Sequence, residues 1–142
     1  MTVLNVKSEA IRVSTKGNTD VIDVTKDLEA IVKRSGVESG IVTLFVVGST
    51  AGLTTIEFEP GLVKDMKTTF DAIAPQSRPY EHHLTWGDDN GHSHVRAALL
   101  GPSVTIPFNA KKLSLGTWQQ VVLIDFDTRP REREIVCQIL GK

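Results

Sequence analysis

All four histidines of this chain fall in one short stretch, Tyr80-Glu81-His82-His83-Leu84-Thr85-Trp86-Gly87-Asp88-Asp89-Asn90-Gly91-His92-Ser93-His94. Neutral imidazole is a common ligand of zinc and other first-row divalent ions. His92 and His94 are two apart, so on extended backbone both rings point to one side and can reach one ion. His82 comes earlier, and the intervening loop can fold it back. His82 and His83 are adjacent and would face opposite ways in a strand, so one of them is expected to ligate. Three histidines with a water in the fourth position form a common catalytic zinc arrangement. The expected metal set is therefore His82, His92 and His94, holding a divalent ion such as zinc or magnesium. Asp88, Asp89 and Asn90 could orient imidazole N–H groups or supply an oxygen. The alternative is a solvated polar loop, since the spacing matches no strict zinc motif. In that case Asn90, Ser93 and the nearby Arg96 become candidates for holding a phosphate.

Other places carry reactive side chains. Glu57 shares an expected strand face with Leu53 and Thr55, where an acid could serve as a general base or a metal ligand; an exposed carboxylate is the plainer reading. Gly48-Ser49-Thr50-Ala51-Gly52 is small and hydroxyl-rich and could cradle a phosphate. It lacks the Gly-Lys-Ser/Thr ending of a P-loop, and an ordinary tight turn suits it better. Gly116-Thr117-Trp118-Gln119 places an aromatic and an amide at a strand start. Arg129, Arg131 and Arg133 alternate with Pro130, Glu132 and Glu134. They could grip an anion, although a solvated face is the simpler expectation. Cys137 lies in an apolar strand and reads as an inert core residue.

The elements that must position these groups follow from pattern. Val3–Ser14 has strand character, Gly17-Asn18 makes a turn, and Val21, Ile22 and Val24 give a short strand. Thr25 can cap a helix running to about Ser35, with Leu28, Ile31 and Val32 inward and Gly36 ending it. Ile41–Val47 reads as a buried strand and Leu53–Phe58 as an alternating one. Pro60-Gly61 opens a second helix with the stripe Val63, Met66, Phe70 and Ile73, and Pro75 stops it. The segment from Gln76 to Gly91 reads as a long loop, which inside a compact domain is more often functional than idle. His94–Leu100 could be a short helix ended by Gly101. Val104–Phe108, Trp118–Phe126 and Ile135–Leu140 are expected strands. Many strands with two good helices argue for an α+β fold.

Length and composition agree with one domain spanning residues 1–142. The chain has 142 residues, 40% of them hydrophobic, and a net charge of -1, which is typical of a globular domain and unlike a basic nucleic-acid binder. A single cysteine excludes an internal disulfide. Met1–Ala10 has no apolar core of a secretory signal, and the run Ile41–Val47 is too short to span a bilayer. A soluble cytoplasmic protein with no nucleic-acid or membrane partner is expected.

Taken together, Tyr80-Glu81-His82, Asp89-Asn90, Ser93-His94, Leu100-Gly101, Pro107 and above all Gly116-Thr117-Trp118-Gln119 resemble the YjbQ-like family. Order and spacing agree from about Val46 to Gln119, and the strand pattern agrees to the C-terminus. The resemblance implies an α+β fold, a mixed β-sandwich with a few helices, assembled as a homotrimer with sites near subunit boundaries. Several members look like metal binders, and some are described as secondary thiamine-phosphate synthases, transferases joining a pyrimidine pyrophosphate to a thiazole phosphate. The implied site is Glu57, His82, Asp89, Asn90, Ser93, His94 and Gln119. Within it Glu57 and Gln119 are the catalytic candidates, and Asp89, Asn90 and Ser93 those for holding a phosphorylated ligand. Many relatives carry His-Thr-Ser-Ala and Asn-Glu where this chain has Gly48-Ser49-Thr50-Ala51 and Ile56-Glu57, whereas His83 and His92 appear in its loop. The implied function is a metal-dependent enzyme acting on phosphorylated small molecules; the alternative is a trimer that binds a metal or metabolite without turning it over.

Overall fold

The computed structural model describes residues 3–142. Of the N-terminal stretch read as lacking a signal, Met1 and Thr2 lie outside that range. In chain order the elements are β1 (Asn5–Thr15), β2 (Asp20–Asp23), α1 (Thr25–Arg34), β3 (Gly40–Val47), β4 (Ala51–Ile56), α2 (Pro60–Ile73), α3 (Glu81–Trp86), α4 (Gly91–Leu100), β5 (Ser103–Asn109), β6 (Lys112–Leu113), β7 (Gln120–Asp125) and β8 (Arg131–Gly141). One sheet has the order β1-β8-β3-β5-β6 and the other β2-β7-β4. Each recorded ladder is antiparallel.

The middle strand of the smaller sheet, β7, is an unbroken apolar run from Val121 to Ile124, as a strand buried on both faces requires. Val121 and Leu123 join the core between the sheets, with Leu28, Ile31 and Val32 of α1, Leu44 of β3 and Ile135 of β8. Val122 and Ile124 face the other way, into a cluster with Phe126, Phe70 of α2 and Ala97 of α4. Burying one such aliphatic side chain stabilises by about 1.5–3 kcal/mol. The result is a mixed α+β fold in which α2 and α4 cover the outer face of the smaller sheet. No helix among the described residues is long and apolar enough to cross a membrane.

Several expected elements shift. Ile41–Val47 alternates instead of being buried throughout: Val42, Leu44 and Val46 point inward, while Ile41, Phe45 and Val47 are exposed. Its outer face is apolar too except for Thr43, so the alternation is only weakly marked in sequence. With Val6 and Leu140 these residues form an open apolar face on the larger sheet. Thr25 is not the cap of α1, which falls on Val24. The Thr25 hydroxyl instead accepts the Val121 N–H at 2.8 Å. In α2 the Glu59 side chain caps Gly61 and Leu62, and the expected stripe holds at Phe70 but leaves Ile73 exposed. Trp118 lies outside β7 and is 73% exposed.

The arginine run differs most. β8 begins at Arg131, ahead of the expected Ile135, and Arg133 is only 8% exposed. Its Nε and Nη2 donate to the two oxygens of Asp125 at 2.7 and 2.9 Å. Nη2 also reaches Thr50 Oγ1 at 2.6 Å, and Thr15 Oγ1 donates to Asp125 at 2.6 Å. Asp127 accepts from the Thr50 hydroxyl at 3.0 Å, Arg131 Nε at 2.8 Å and the Thr128 N–H at 2.8 Å. Burial alone would raise the Asp127 pKa, but these hydrogen bonds outweigh it and hold the carboxyl below its ordinary range. Its stabilising contribution is intact above the unfolded value of about 3.9 and is lost as pH falls through the lower folded value. Removing one partner of a buried pair strands the other charge. Asp125→Ala should therefore destabilise by about 3–5 kcal/mol in urea denaturation, while Asp125→Leu/Arg133→Met should recover most of that loss. A double variant as unstable as the single would contradict this account.

Candidate functional site

The position of α4 fixes the site. Its C-terminal end is stitched to both sheets: the Leu53 N–H donates to Gly101 O at 3.0 Å and the Val46 N–H to Pro102 O at 2.9 Å. Gly52 makes this approach possible, because a Cβ there would lie 2.8 Å from Gly101 O and 2.8 Å from the Leu100 side chain. His94 on α4 then lines a cleft of about 490 Å³ with Phe45, Gly48, Ser49 and Ala51.

The segment expected as a loop contains α3, which closes on Gly87 in the left-handed conformation. α4 begins at Gly91 rather than His94, so His92-Ser93-His94 is helical and not extended. At 3.6 residues per turn, positions two apart point to nearly opposite sides. The histidines separate accordingly. His94 faces His82, with ring centroids 4.4 Å apart. His92 turns inward, 2% exposed, toward Tyr80 at 6.4 Å between centroids. His83 sits 5.5 Å from the Tyr80 ring, and its Nε2 accepts the Gly91 N–H at 3.2 Å. The expected set of His82, His92 and His94 does not converge. Among the described residues no three His, Cys, Asp or Glu side chains are placed to hold one ion.

The pair His82–His94 retains the properties of ligands. Burial, reinforced by the neighbouring His82, lowers the His94 pKa. Burial, reinforced by Arg96, does the same for His92. The shift favours the neutral form of the His94 and His92 rings, which carries a lone pair. His82 Nδ1 lies 3.0 Å from Asp88 Oδ1, close enough for an ion pair if protonated but not aligned as a hydrogen bond, so this buried nitrogen has no hydrogen-bond partner. Asn90 sits between two carboxylates. Its Nδ2 lies 3.4 Å from Asp127 Oδ1, and turning the amide over brings the nitrogen to 3.2 and 3.3 Å from the Asp88 oxygens. The turned orientation removes an oxygen–oxygen clash and is the better one.

The other expected residues are dispersed. Ser93 is fully buried, with its hydroxyl 3.4 Å from His92 Nε2, and Asp89 is exposed. Arg96 is spent on structure, donating to Ala74 O, Thr19 Oγ1 and Asp71 Oδ1 at 2.9, 3.1 and 2.9 Å. Gln119 Nε2 donates to Thr55 Oγ1 at 3.0 Å, and its Oε1 accepts the Gly116 N–H at 3.0 Å. Glu57 lies just beyond the far end of β4, in a second cleft of about 440 Å³ with Trp118, Phe58 and Lys26. β4 runs from the histidine cleft to this one, so at ~3.3 Å per residue Glu57 stands on the order of 20 Å away. One chain thus presents two separate groups. Asp125 and Asp127 escaped the sequence reading. The available signal was two acids closing an apolar run, with alternating arginines shortly after.

The family model described as UPF0047 protein YjbQ-like matches residues 9–142. A UPF0047 protein of Methanothermobacter thermautotrophicus is 31% identical over 98% of this chain and 95% of its own. YugU of Bacillus subtilis is 28% identical over 94% of this chain and 98% of its own. A crystal structure from Sulfolobus solfataricus, described as YbjQ-like and of unknown function, superposes with a TM-score of 0.93 at 37% identity, covering 99% of this chain and all of that one. A Clostridium acetobutylicum member of the yjbq/upf0047 family superposes at 0.84 with 31% identity, covering 92% of this chain and 98% of that one. With its sequence matched almost end to end and its fold shared with these structures, the chain belongs to the YjbQ-like UPF0047 family.

Proposed function

We propose that the α3–α4 histidine pair binds a divalent ion, zinc or magnesium, together with a phosphorylated small molecule. The observation that carries this reading is the packing of His82 against His94, with rings 4.4 Å apart and His82 Nδ1 buried without a hydrogen-bond partner. Such an orphaned nitrogen is costly unless something completes it. His82 and His94 would supply two nitrogen ligands, with the remaining positions left to water and the phosphorylated ligand, and Asp88 would orient the His82 ring. A divalent ion held there would offset the charge of a phosphate or pyrophosphate group. Asn90 holds Asp88 in place.

As an enzyme the protein would act on substrates such as thiamine-phosphate precursors, with Glu57 as base and Gln119 as the positioning amide. Those two residues lie too far from His94 to act on one small molecule in a single chain. The enzymatic reading therefore requires an assembly, a homotrimer by the family resemblance, that brings one copy's Glu57 cleft to another copy's histidines. The open apolar face of the larger sheet supports association, since exposed patches of this kind mark interfaces. A non-enzymatic metal or metabolite binder is the second reading, favoured by the same separation.

Elemental analysis and metal titration of untagged protein should find a bound divalent ion. His94→Ala and His82→Ala should each weaken it by more than the ~10–100-fold typical when only a neighbour of a ligand is lost. His92→Ala and His83→Ala should leave metal affinity nearly unchanged. Because the folded His94 pKa is lowered, affinity should hold through pH 6.5 and fall only below it. Wild-type protein that takes up none of zinc, manganese, nickel or magnesium sinks the metal reading.

Incubation with the two thiamine-precursor phosphates and each metal should yield thiamine phosphate. No product from an intact, metal-loaded trimer would leave the binder. Sedimentation velocity at micromolar concentration should give the trimer, and Phe45→Glu on the apolar face should dissociate it; a wild-type monomer would refute the assembly.

A further inference from the structure

Arg133 has one guanidinium nitrogen that the buried network does not use. Nε and Nη2 are engaged by Asp125 and Thr50, whereas Nη1 makes no hydrogen bond to the described residues. Nη1 lies against Gly48, where a Cβ would sit 2.7 Å from it. Gly48 also has φ 143°, a backbone conformation that residues with a side chain rarely adopt. Glycine is thus required there twice, for the backbone and for the space above the guanidinium. The nitrogen is not sealed in. Among the described residues, the side-chain atoms both buried and unpartnered belong to His82 and His92 alone.

Gly48 and Ser49 line the same cleft of about 490 Å³ as His94. Gly48 thus stands between the cleft, which Arg133 does not itself line, and the free arginine N–H, with no side chain of its own to fill the gap. The arginine side chain is held by its two-point contact with Asp125, so little conformational freedom remains to be lost when a ligand arrives. Asp125 and Asp127 balance Arg131 and Arg133 within the cluster. The attraction is accordingly a directed N–H donor and not an excess of positive charge. A phosphoryl oxygen suits such a donor, because its charge strengthens the hydrogen bond.

We propose that Arg133 Nη1, reached through the gap at Gly48, donates to a phosphoryl oxygen of a ligand bound in the His94 cleft. The assignment rests on the phosphorylated-ligand reading and not on the metal.

The test uses the full chain and inorganic phosphate, first metal-free and then with zinc or magnesium, measured by calorimetry and by the NMR signal of the Arg133 guanidinium. Wild type should bind phosphate and shift that signal on saturation. Gly48→Ala, which places a methyl in the gap, should weaken phosphate binding at least tenfold while metal uptake by His82 and His94 stays unchanged. Arg133→Lys should weaken it likewise if it folds; the guanidinium signal of wild type decides the matter if it does not. Phosphate bound equally by wild type and Gly48→Ala, or an Arg133 signal that does not move, overturns the subsite and leaves the proposed function standing. Wild type that binds no phosphate under any metal condition overturns both.

Discussion

The buried pair between Asp125 and Arg133 is the constraint on which the site end of the molecule depends. A charge in the interior is tolerated only if it is paired and its remaining hydrogen-bonding capacity is met. Meeting it here recruits Thr15 from β1, Thr50 from the β3–β4 turn and, through Asp127, Arg131. Both sheets are thereby tied together at one corner. Such a network is specific in a way that an apolar contact is not, since its members must meet at fixed distances and angles. The turn from Gly48 to Thr50 inherits its shape from that requirement, and so does the cleft wall it forms.

From this corner the order passes to α4. The first turns of the helix are held by the Gly91 N–H, which donates to His83 Nε2, and by Arg96, which donates to Ala74 O and Thr19 Oγ1. The tail of the helix is stitched to β3 and β4 through Gly101 and Pro102. A helix held at both ends presents its side chains in fixed directions. His94 therefore faces the cleft and His82, while His92 is driven into the interior beside Tyr80. Two histidines of the cluster serve the surface and two serve the packing of α3 on α4. Helical geometry separates His92 from His94, and the anchoring of α4 decides which way each one points.

The molecule also leaves surfaces that a single chain does not use. The outer face of the larger sheet is apolar where Ile41, Phe45 and Val47 emerge. Glu57 and Trp118 gather at the opposite end of β4 from the histidines. The proposed assembly would bring these two surfaces into use.

Much of this was written in the sequence. The apolar periodicities of α1 and the run in β7 follow from which residues can be buried together, and they placed the α+β class and most of the strands. The concentration of histidines marked the right segment, and the quoted motifs marked the right family. The sequence alone could not say which histidines meet. That depended on whether His92-Ser93-His94 is extended or helical, and the answer lies in contacts that Gly101, Pro102 and Gly52 make with distant strands. Nor could it tell that Arg133 is buried. In one dimension, charges that alternate along a strand look the same whether they face water or an aspartate on the strand before. Local pattern decides which faces are apolar. Only the folded arrangement decides which polar groups find each other, because hydrogen bonds and ion pairs depend on distances that the fold alone creates.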